Sequence, residues 1–284
     1  MLLHRYFGSH AFETLKEAKL KTSRISDFND PFEFMYVYTS SMTCEQAEKH
    51  IQSMTKSPKF ISWAKQHLPL IPEVEIQNYL KQFTPEKIMD VAANFGKDCE
   101  LSFKRRRVII EEELRALCFS DSAKMDMLDE ILLWSHYADK HKGVRIGFEF
   151  PALDNPAVQI SEMVYQKNRV EVDFSFEAQA ELVEYALFKS AITKSSAWEY
   201  EHEVRLFVKT ESCEPREIKK SDSIVLEHFL VFDPACVKTV DFGALCSSQE
   251  IQITVSFLKA NYPNTICRKA DFHKTEYALE YKLI

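Results

Sequence analysis

Glycine is almost missing from this chain. Of 284 residues only five are glycine, at positions 8, 96, 143, 147 and 243. The dinucleotide fingerprint and the Walker loop both need clustered glycines to bring backbone against phosphate, so neither can be built here. Any phosphate or cofactor must be held by side chains and helix ends. Long apolar runs are also absent. No window approaches the roughly 18 apolar residues of a membrane-spanning helix. The opening "MLLHRYFGSHAFETLKEAKL" has no apolar signal core, and no membrane partner is expected. Positive charge is not in excess: 36 Lys and Arg stand against 43 Asp and Glu, a formal net charge of -7. A nucleic-acid coat protein is usually strongly basic, which argues against that class. Cysteine is present but unpatterned. The seven are scattered and odd in number, without a CxxC pair, so neither a zinc ribbon nor a disulfide framework is indicated. Reduced thiols in a cytoplasm fit best.

What is there is a hydrophobic content of 45%, enough for a large core. Residues 2–7 and 19–22 read as short strands around a helix at 11–18. From Thr43 the texture turns helical and poor in glycine, with Thr84 as a cap, Pro85 at a first helical position and Gly96 as a stop. Afterwards it is mixed again. "LCFS" reads as a strand, 126–143 as a helix ending at Gly143, and "VRIGFEF" as a strand alternating Val144, Ile146, Phe148 and Phe150 against Arg145, Gly147 and Glu149. The expected fold is α+β: one domain over 1–284, a central mixed, largely antiparallel sheet with flanking helices, and a helical insertion at about 43–117.

Four stretches carry polar groups with chemical potential. In "LLHRYF", His4 and Arg5 point to opposite faces of a first strand, and the planar fork of Arg5 suits a phosphate. In "SRISDFNDPFEFMY", Asn29 and Asp30 before Pro31 read as a turn whose ends Phe28 and Phe32 anchor in the core. That turn is either purely structural or a rigid loop that presents Asn29, Asp30 and Glu33 to a pocket. In "LLWSHYADKHKG", Trp134, Tyr137, Ala138 and His141 share one helix side, with His136 flanking. His136 and His141 are five apart and the HExxH spacing is absent, so no metal site is expected. In "KSSAWEYEHEVRLF", a strand of period two puts Trp198 and Tyr200 on one face and Glu201, Glu203 and Arg205 on the other. Two neighbouring glutamates repel, and Arg205 offsets this for Glu203. An exposed polar face and a glutamate pair that orients a sugar hydroxyl or nucleophile both remain open. Ser120 closes the "LCFS" strand as a cap or a site hydroxyl.

These motifs together ("FNDPFE", "LLWSHYADKHKGVRIGF", "KSSAWEYEHEVRL" and the closing "FDPACVKTVDFG") resemble an uncharacterised bacterial family, the domain of unknown function 2971. A weaker resemblance is to ADP-ribosyltransferases. It implies NAD as co-substrate, bound by Arg5 or His4 and by Ser120 or Tyr137. Glu203 would then align the nicotinamide ribose, with Glu201 in the paired-glutamate role. The departures are the lack of a Ser-Thr-Ser motif and of a compact His-Tyr-Glu spacing. The resemblances imply a bacterial cytoplasmic transferase, in phage defence or as a toxin, with a nucleotide ligand and an unspecified macromolecular acceptor. A non-catalytic nucleotide- or partner-binding module and a carboxylate- and metal-dependent hydrolase are the alternatives. On the transferase reading Arg5, His4, Asn29, Asp30, Glu33, Ser120, Trp134, His136, Tyr137, Trp198 and Arg205 hold the ligand, and Glu203 and Glu201 act on it.

Overall fold

The computed structural model describes residues 1–39, 84–150, 158–173, 180–220 and 223–284, with isolated positions between 45 and 78. The chain forms two compact units. The first comprises Met1–Phe34, Ile110–Asn168 and Ala191–Ile284; the second comprises Met35–Ile109 and Arg169–Ser190. Most of the insertion expected from residue 43 to 83 lies outside the described residues.

The first unit is built on an eight-stranded sheet. In spatial order its strands are β15 (Leu279–Leu283), β14 (Ile266–Phe272), β13 (Val237–Phe242), β5 (Val144–Phe148), β1 (Leu3–Phe7), β4 (Leu114–Ser120), β10 (Glu203–Lys209) and β6 (Val158–Glu162). Only the β13–β14 pair is parallel. The mixed, largely antiparallel sheet and its helices make the fold α+β, as the sequence indicates. One sheet face carries the main core: Leu3, Leu117, Phe119, Ile146, Phe148, Val204, Leu206, Val240 and Phe242, together with Leu15 and Leu258 from helices α1 (Ala11–Glu17) and α5 (Ser248–Asn261). The alternation read in "VRIGFEF" holds: Val144, Ile146 and Phe148 join this core.

The other face meets helix α3 (Met127–Tyr137). Asp126 caps it, accepting from the Leu128 and Asp129 N–H groups at 2.7 and 2.9 Å, and Asp129 returns the contact to the Asp126 N–H at 3.1 Å. This capping box fixes the start. The end comes at Tyr137, six residues before Gly143, because Asp139, Lys140 and His141 adopt positive φ angles of 45, 54 and 66°. Leu133, Trp134 and Ala138 bury against Tyr6 of β1, whose ring meets that of Trp134 edge-on at 5.3 Å.

Two boundaries differ from the sequence reading for physical reasons. Helix α2 (Pro85–Glu113) runs through Gly96 and ends before Leu114, so residues 114–117 are strand and not helix. Arg115 caps that end by donating to the Glu111, Glu112 and Leu114 carbonyls at 2.8, 3.2 and 2.8 Å. Pairing of Leu114–Ser120 with β10 outweighs the helix propensity of "EEELRAL". The stretch "WEYEHEV" is not a continuous strand either. Ser196–Glu201 is a 3-10 helix started by the Ser195 hydroxyl, His202 turns left-handed at φ 42°, and β10 begins only at Glu203.

In the second unit, β3 (Tyr36–Thr39) pairs in parallel with β8 (Val170–Asp173), and Tyr36 meets Phe103 at 4.2 Å. Helix α4 (Ala180–Ala191) leads from it into the first unit's β9 (Thr193–Ser195), which pairs in parallel with β7 (Val164–Gln166). Among the described residues no helix is long and apolar enough to cross a membrane.

Candidate functional site

Strand register puts five residues in one row across the first unit's sheet. Thr239 of β13 lies opposite Gly147 of β5, Gly147 opposite His4 of β1, His4 opposite Ser120 of β4, and Ser120 opposite Glu203 of β10. Residues directly opposite in a sheet share a face, so the row forms one polar stripe. Pairing between β1 and β4 is confined to His4 and Ser120, whereas β1 pairs along its length with β5 and β4 along its length with β10. A cavity of about 230 Å³ opens along this seam. His4, Arg5, Asn29, Tyr137, Lys194 and Glu203 are among the residues that line it.

Gly147 is a glycine because His4 and Thr239 lean across it. A Cβ there would meet Thr239 Oγ1 at 2.3 Å and His4 Nε2 at 3.0 Å. Gly147→Ala is therefore expected to displace His4 and to lower stability by ~1–3 kcal/mol, the range for overpacking. Denaturant unfolding of the purified variant measures this, and an unchanged midpoint would show that the two side chains yield freely.

The deepest wall is an ion cluster. Glu203 accepts from Arg205 Nε at 2.6 Å and from Lys194 Nζ at 3.0 Å. Lys194 also reaches Glu201 at 2.7 Å and Glu33 at 3.3 Å. Arg205 Nη2 closes the ring on Glu33, and its Nη1 donates to the Ala191 carbonyl at 2.7 Å. The side chains of all five residues are between 1% and 7% exposed. Buried charges persist only when paired, and here two cations serve three carboxylates. Burial pushes Glu203 up, but the Arg205 and Lys194 charges outweigh it and hold its carboxyl at about 2. Glu33 and Glu201 are raised, because for them burial prevails over the same cations. Burial opposes the charge on Lys194 and Arg205, yet the surrounding carboxylates raise both.

Around the cluster, Tyr137 donates to Glu201 Oε1 at 2.6 Å and receives Asn29 Nδ2 at 3.3 Å. Burial and the Glu201 charge raise the Tyr137 hydroxyl. Tyr165 receives the Glu203 N–H at 2.7 Å. On the opposite wall His4 Nδ1 lies 2.8 Å from Ser122 Oγ, and burial lowers the imidazole to about 4, so it is neutral at physiological pH. His4 Nε2 and Arg5 Nη1 are buried without a hydrogen-bonding partner among the described residues. The cavity lining thus includes an imidazole nitrogen from His4, a guanidinium N–H from Arg5, its opposite-facing neighbour on β1, and the carboxylates of Glu33, Glu201 and Glu203.

The structure gathers His4, Arg5, Asn29, Glu33, Ser120, Tyr137, Glu201, Glu203 and Arg205 at this one cavity. Four other candidates lie elsewhere. Asp30 builds the turn: its Oδ1 accepts the Phe32 N–H at 2.9 Å, and it does not line the cavity. Trp134 is fully buried and donates to the Tyr281 hydroxyl at 2.9 Å, beside a separate Arg145–Asp241–Glu130 network. His136 is exposed and meets the Tyr200 hydroxyl at 3.1 Å. Trp198 stands behind the cavity wall, its ring 4.9 Å from Lys194 Nζ. Of the two aromatic anchors, Phe28 lies over Arg205 at 4.5 Å, but Phe32 is 57% exposed and Phe34 is the buried ring. Lys194, Tyr165 and Cys118 were not singled out by the sequence. The available signal was charge arithmetic: three glutamates around one arginine call for a second cation. Among the described residues no group of three or more His, Cys, Asp or Glu side chains is arranged to hold a metal.

Residues 133–206 match the model of a family described as "Protein of unknown function (DUF2971)". The matched segment holds Tyr137, Lys194, Glu201, Glu203 and Arg205 and so takes in the Trp-Ser-His-Tyr and Trp-Glu-Tyr-Glu motifs, while "FNDPFE" with Glu33 and the closing "FDPACVKTVDFG" lie outside it. No curated protein and no solved structure matches the chain.

Proposed function

We propose that the chain is an ADP-ribosyltransferase-like enzyme that cleaves the bond between nicotinamide and ribose in NAD. The observation that carries this reading is the row His4, Ser120, Glu203 on three neighbouring strands at one cavity. It sets an imidazole, a hydroxyl and a carboxylate side by side, which supports the basic, middle and glutamate roles that the resemblance to ADP-ribosyltransferases implies. Leaving nicotinamide takes the electron pair of the C1′–N bond, positive charge develops on the ribose, and C1′ then bonds to the nucleophilic group of the acceptor or, where none is present, to water, which releases a proton. Glu203, held anionic by Arg205 and Lys194, stabilises that charge without changing protonation state. Arg5 Nη1 suits a ligand rich in oxygen acceptors, and so does His4 Nε2 in the tautomer whose Nδ1 accepts from Ser122. At about 230 Å³ the cavity is below the ~300–1,000 Å³ of a drug-sized pocket, so it suits one half of a dinucleotide. The metal-dependent hydrolase is the less favoured reading, because an ammonium already sits among the three carboxylates.

On the resemblances alone, the reaction takes place in a bacterial cytoplasm, in phage defence or as a toxin. The experiment is to incubate the purified protein with NAD and to measure free nicotinamide, with thermal melting in the presence of NAD alongside. Nicotinamide release above a protein-free control is expected. A melting shift without release would favour the binding module, and neither signal would overturn the reading.

A further inference from the structure

We propose that Lys194 is a positioning residue of this cavity, whose ammonium lets Glu201 and Glu203 carry negative charge side by side. The inference rests on the transferase reading for its catalytic consequence, but its electrostatic content does not. The geometry is specific. One nitrogen lies 2.7 Å from a Glu201 oxygen, 3.0 Å from a Glu203 oxygen and 3.3 Å from a Glu33 oxygen. Arg205 contacts Glu203 and Glu33 but makes no recorded contact with Glu201 among the described residues. Lys194 is therefore the cation that Glu201 depends on.

Each element packed around Lys194 contributes to its field. The loop before Phe34 brings Glu33, and the 3-10 helix brings Tyr200 and Glu201. Strand β10 brings Glu203 and Arg205, helix α3 brings Tyr137, and β7 brings Tyr165. Beyond Glu203 stand Cys118 of β4, whose thiol burial raises well above its ordinary value, and Arg5 of β1, whose guanidinium burial lowers. Of these groups the tyrosines and the thiol stay neutral near pH 7, so Arg205 and Arg5 are the other cations around the cluster among the described residues. Two carboxylates this close do not both ionise unless a cation intervenes. Without Lys194, only the Tyr137 hydrogen bond still opposes burial and the Glu203 charge at Glu201, and Glu201 holds its proton more tightly.

The chain position fits this role. Lys194 lies at the centre of β9, a three-residue strand paired with β7 opposite Tyr165. Tyr165 in turn receives the Glu203 backbone N–H. The strand that carries the ammonium is thus tied to the backbone of the glutamate it neutralises. The indole of Trp198 covers the ammonium at 4.9 Å, which favours a cation there.

The test uses Lys194→Met, which keeps length and apolar stem, and Lys194→Arg, which keeps charge. Melting is followed from pH 8 to pH 4 without NAD. In Lys194→Met the folded-state pKa values of Glu33 and Glu201, already raised by burial, rise further. Their protonated, stable form is favoured at low pH and is lost as pH rises through the raised value. The melting deficit of Lys194→Met against wild type is therefore expected to be widest at pH 8 and to narrow toward pH 4, while Lys194→Arg shows a smaller deficit at pH 8. A deficit constant across that range would mean a packing role and overturn the proposal. Nicotinamide release is read separately. If wild type releases it, the acid limb of its pH profile is expected to move to higher pH in Lys194→Met. An unmoved limb would overturn the catalytic consequence. If wild type releases none, the transferase reading fails while the melting result still decides the role of Lys194.

Discussion

Nicotinamide release by Glu203→Gln is expected to be at least about a hundredfold slower than by wild type, the size of losing one electrostatic group aimed at the transition state. The reasoning starts from what the carboxylate touches. Arg205 and Lys194 both donate to it and hold it ionised at about 2. At any working pH its charge is constant, so it acts as a fixed anion and not as a proton carrier. An amide has nearly the same shape and none of the charge. It also turns an N–H group toward Arg205 or Lys194, so some loss of melting temperature accompanies the loss of turnover. Rates must therefore be compared well below the melting point of the variant, with circular dichroism as the folding control. Equal turnover by the two proteins would remove Glu203 from the mechanism. Glu203→Asp, which keeps charge and retracts it, is expected to fall between them.

Much of this site was legible because strands report their faces. The period of two in "VRIGFEF" separated Val144, Ile146 and Phe148 from Arg145 and Gly147, and the structure keeps that division. The polar residues of "LLHRYF" and "LCFS" were visible as exceptions in apolar strands, although nothing local could show that His4 and Ser120 lie opposite each other. That register is set by tertiary packing. The period-two reading failed at "WEYEHEV" because a hydroxyl cap and a left-handed His202 put a turn of 3-10 helix where alternation looked unbroken. Glu201 nonetheless reaches the cluster, since the 3-10 turn ends directly against β10. Trp134 and Tyr137 are three apart and share a helix side, yet they serve different networks: Trp134 is buried against Tyr281, while Tyr137 is half-buried at the cavity. Helical spacing gives the side but not the depth. Lys194 was the hardest to see. A lone lysine in a polar stretch reads as solvated, and only the count of buried acids around it says otherwise.

The largest loss of stability is expected from Arg205→Met. Arg205 is 1% exposed and makes contacts in four directions: Glu203 at 2.6 Å, Glu33, the Ala191 carbonyl at 2.7 Å and the Phe28 ring at 4.5 Å. Methionine fills much of the volume, so the effect is chiefly electrostatic. It leaves Glu33, Glu201 and Glu203 with Lys194 as their one direct cation, and breaking a buried pair in this way costs ~3–5 kcal/mol. The sign of the pH dependence follows from Glu203. Its folded value is depressed, so its stabilisation is present above the ordinary carboxylate range and is lost as pH falls toward about 2. In the variant that depression is reduced to what Lys194 supplies and the neighbouring carboxyls take up protons more readily, so the deficit is expected to be largest near neutral pH and smaller in acid. Urea unfolding at pH 7 and pH 4.5 measures both points. Should Arg205→Met fail to fold, Arg205→Lys keeps one charge without the fork and is expected to show a reduced loss with the same pH trend. A deficit below about 1 kcal/mol at pH 7, the size of an exposed ion pair, would mean that the cluster is solvated and that Arg205 does not hold it together.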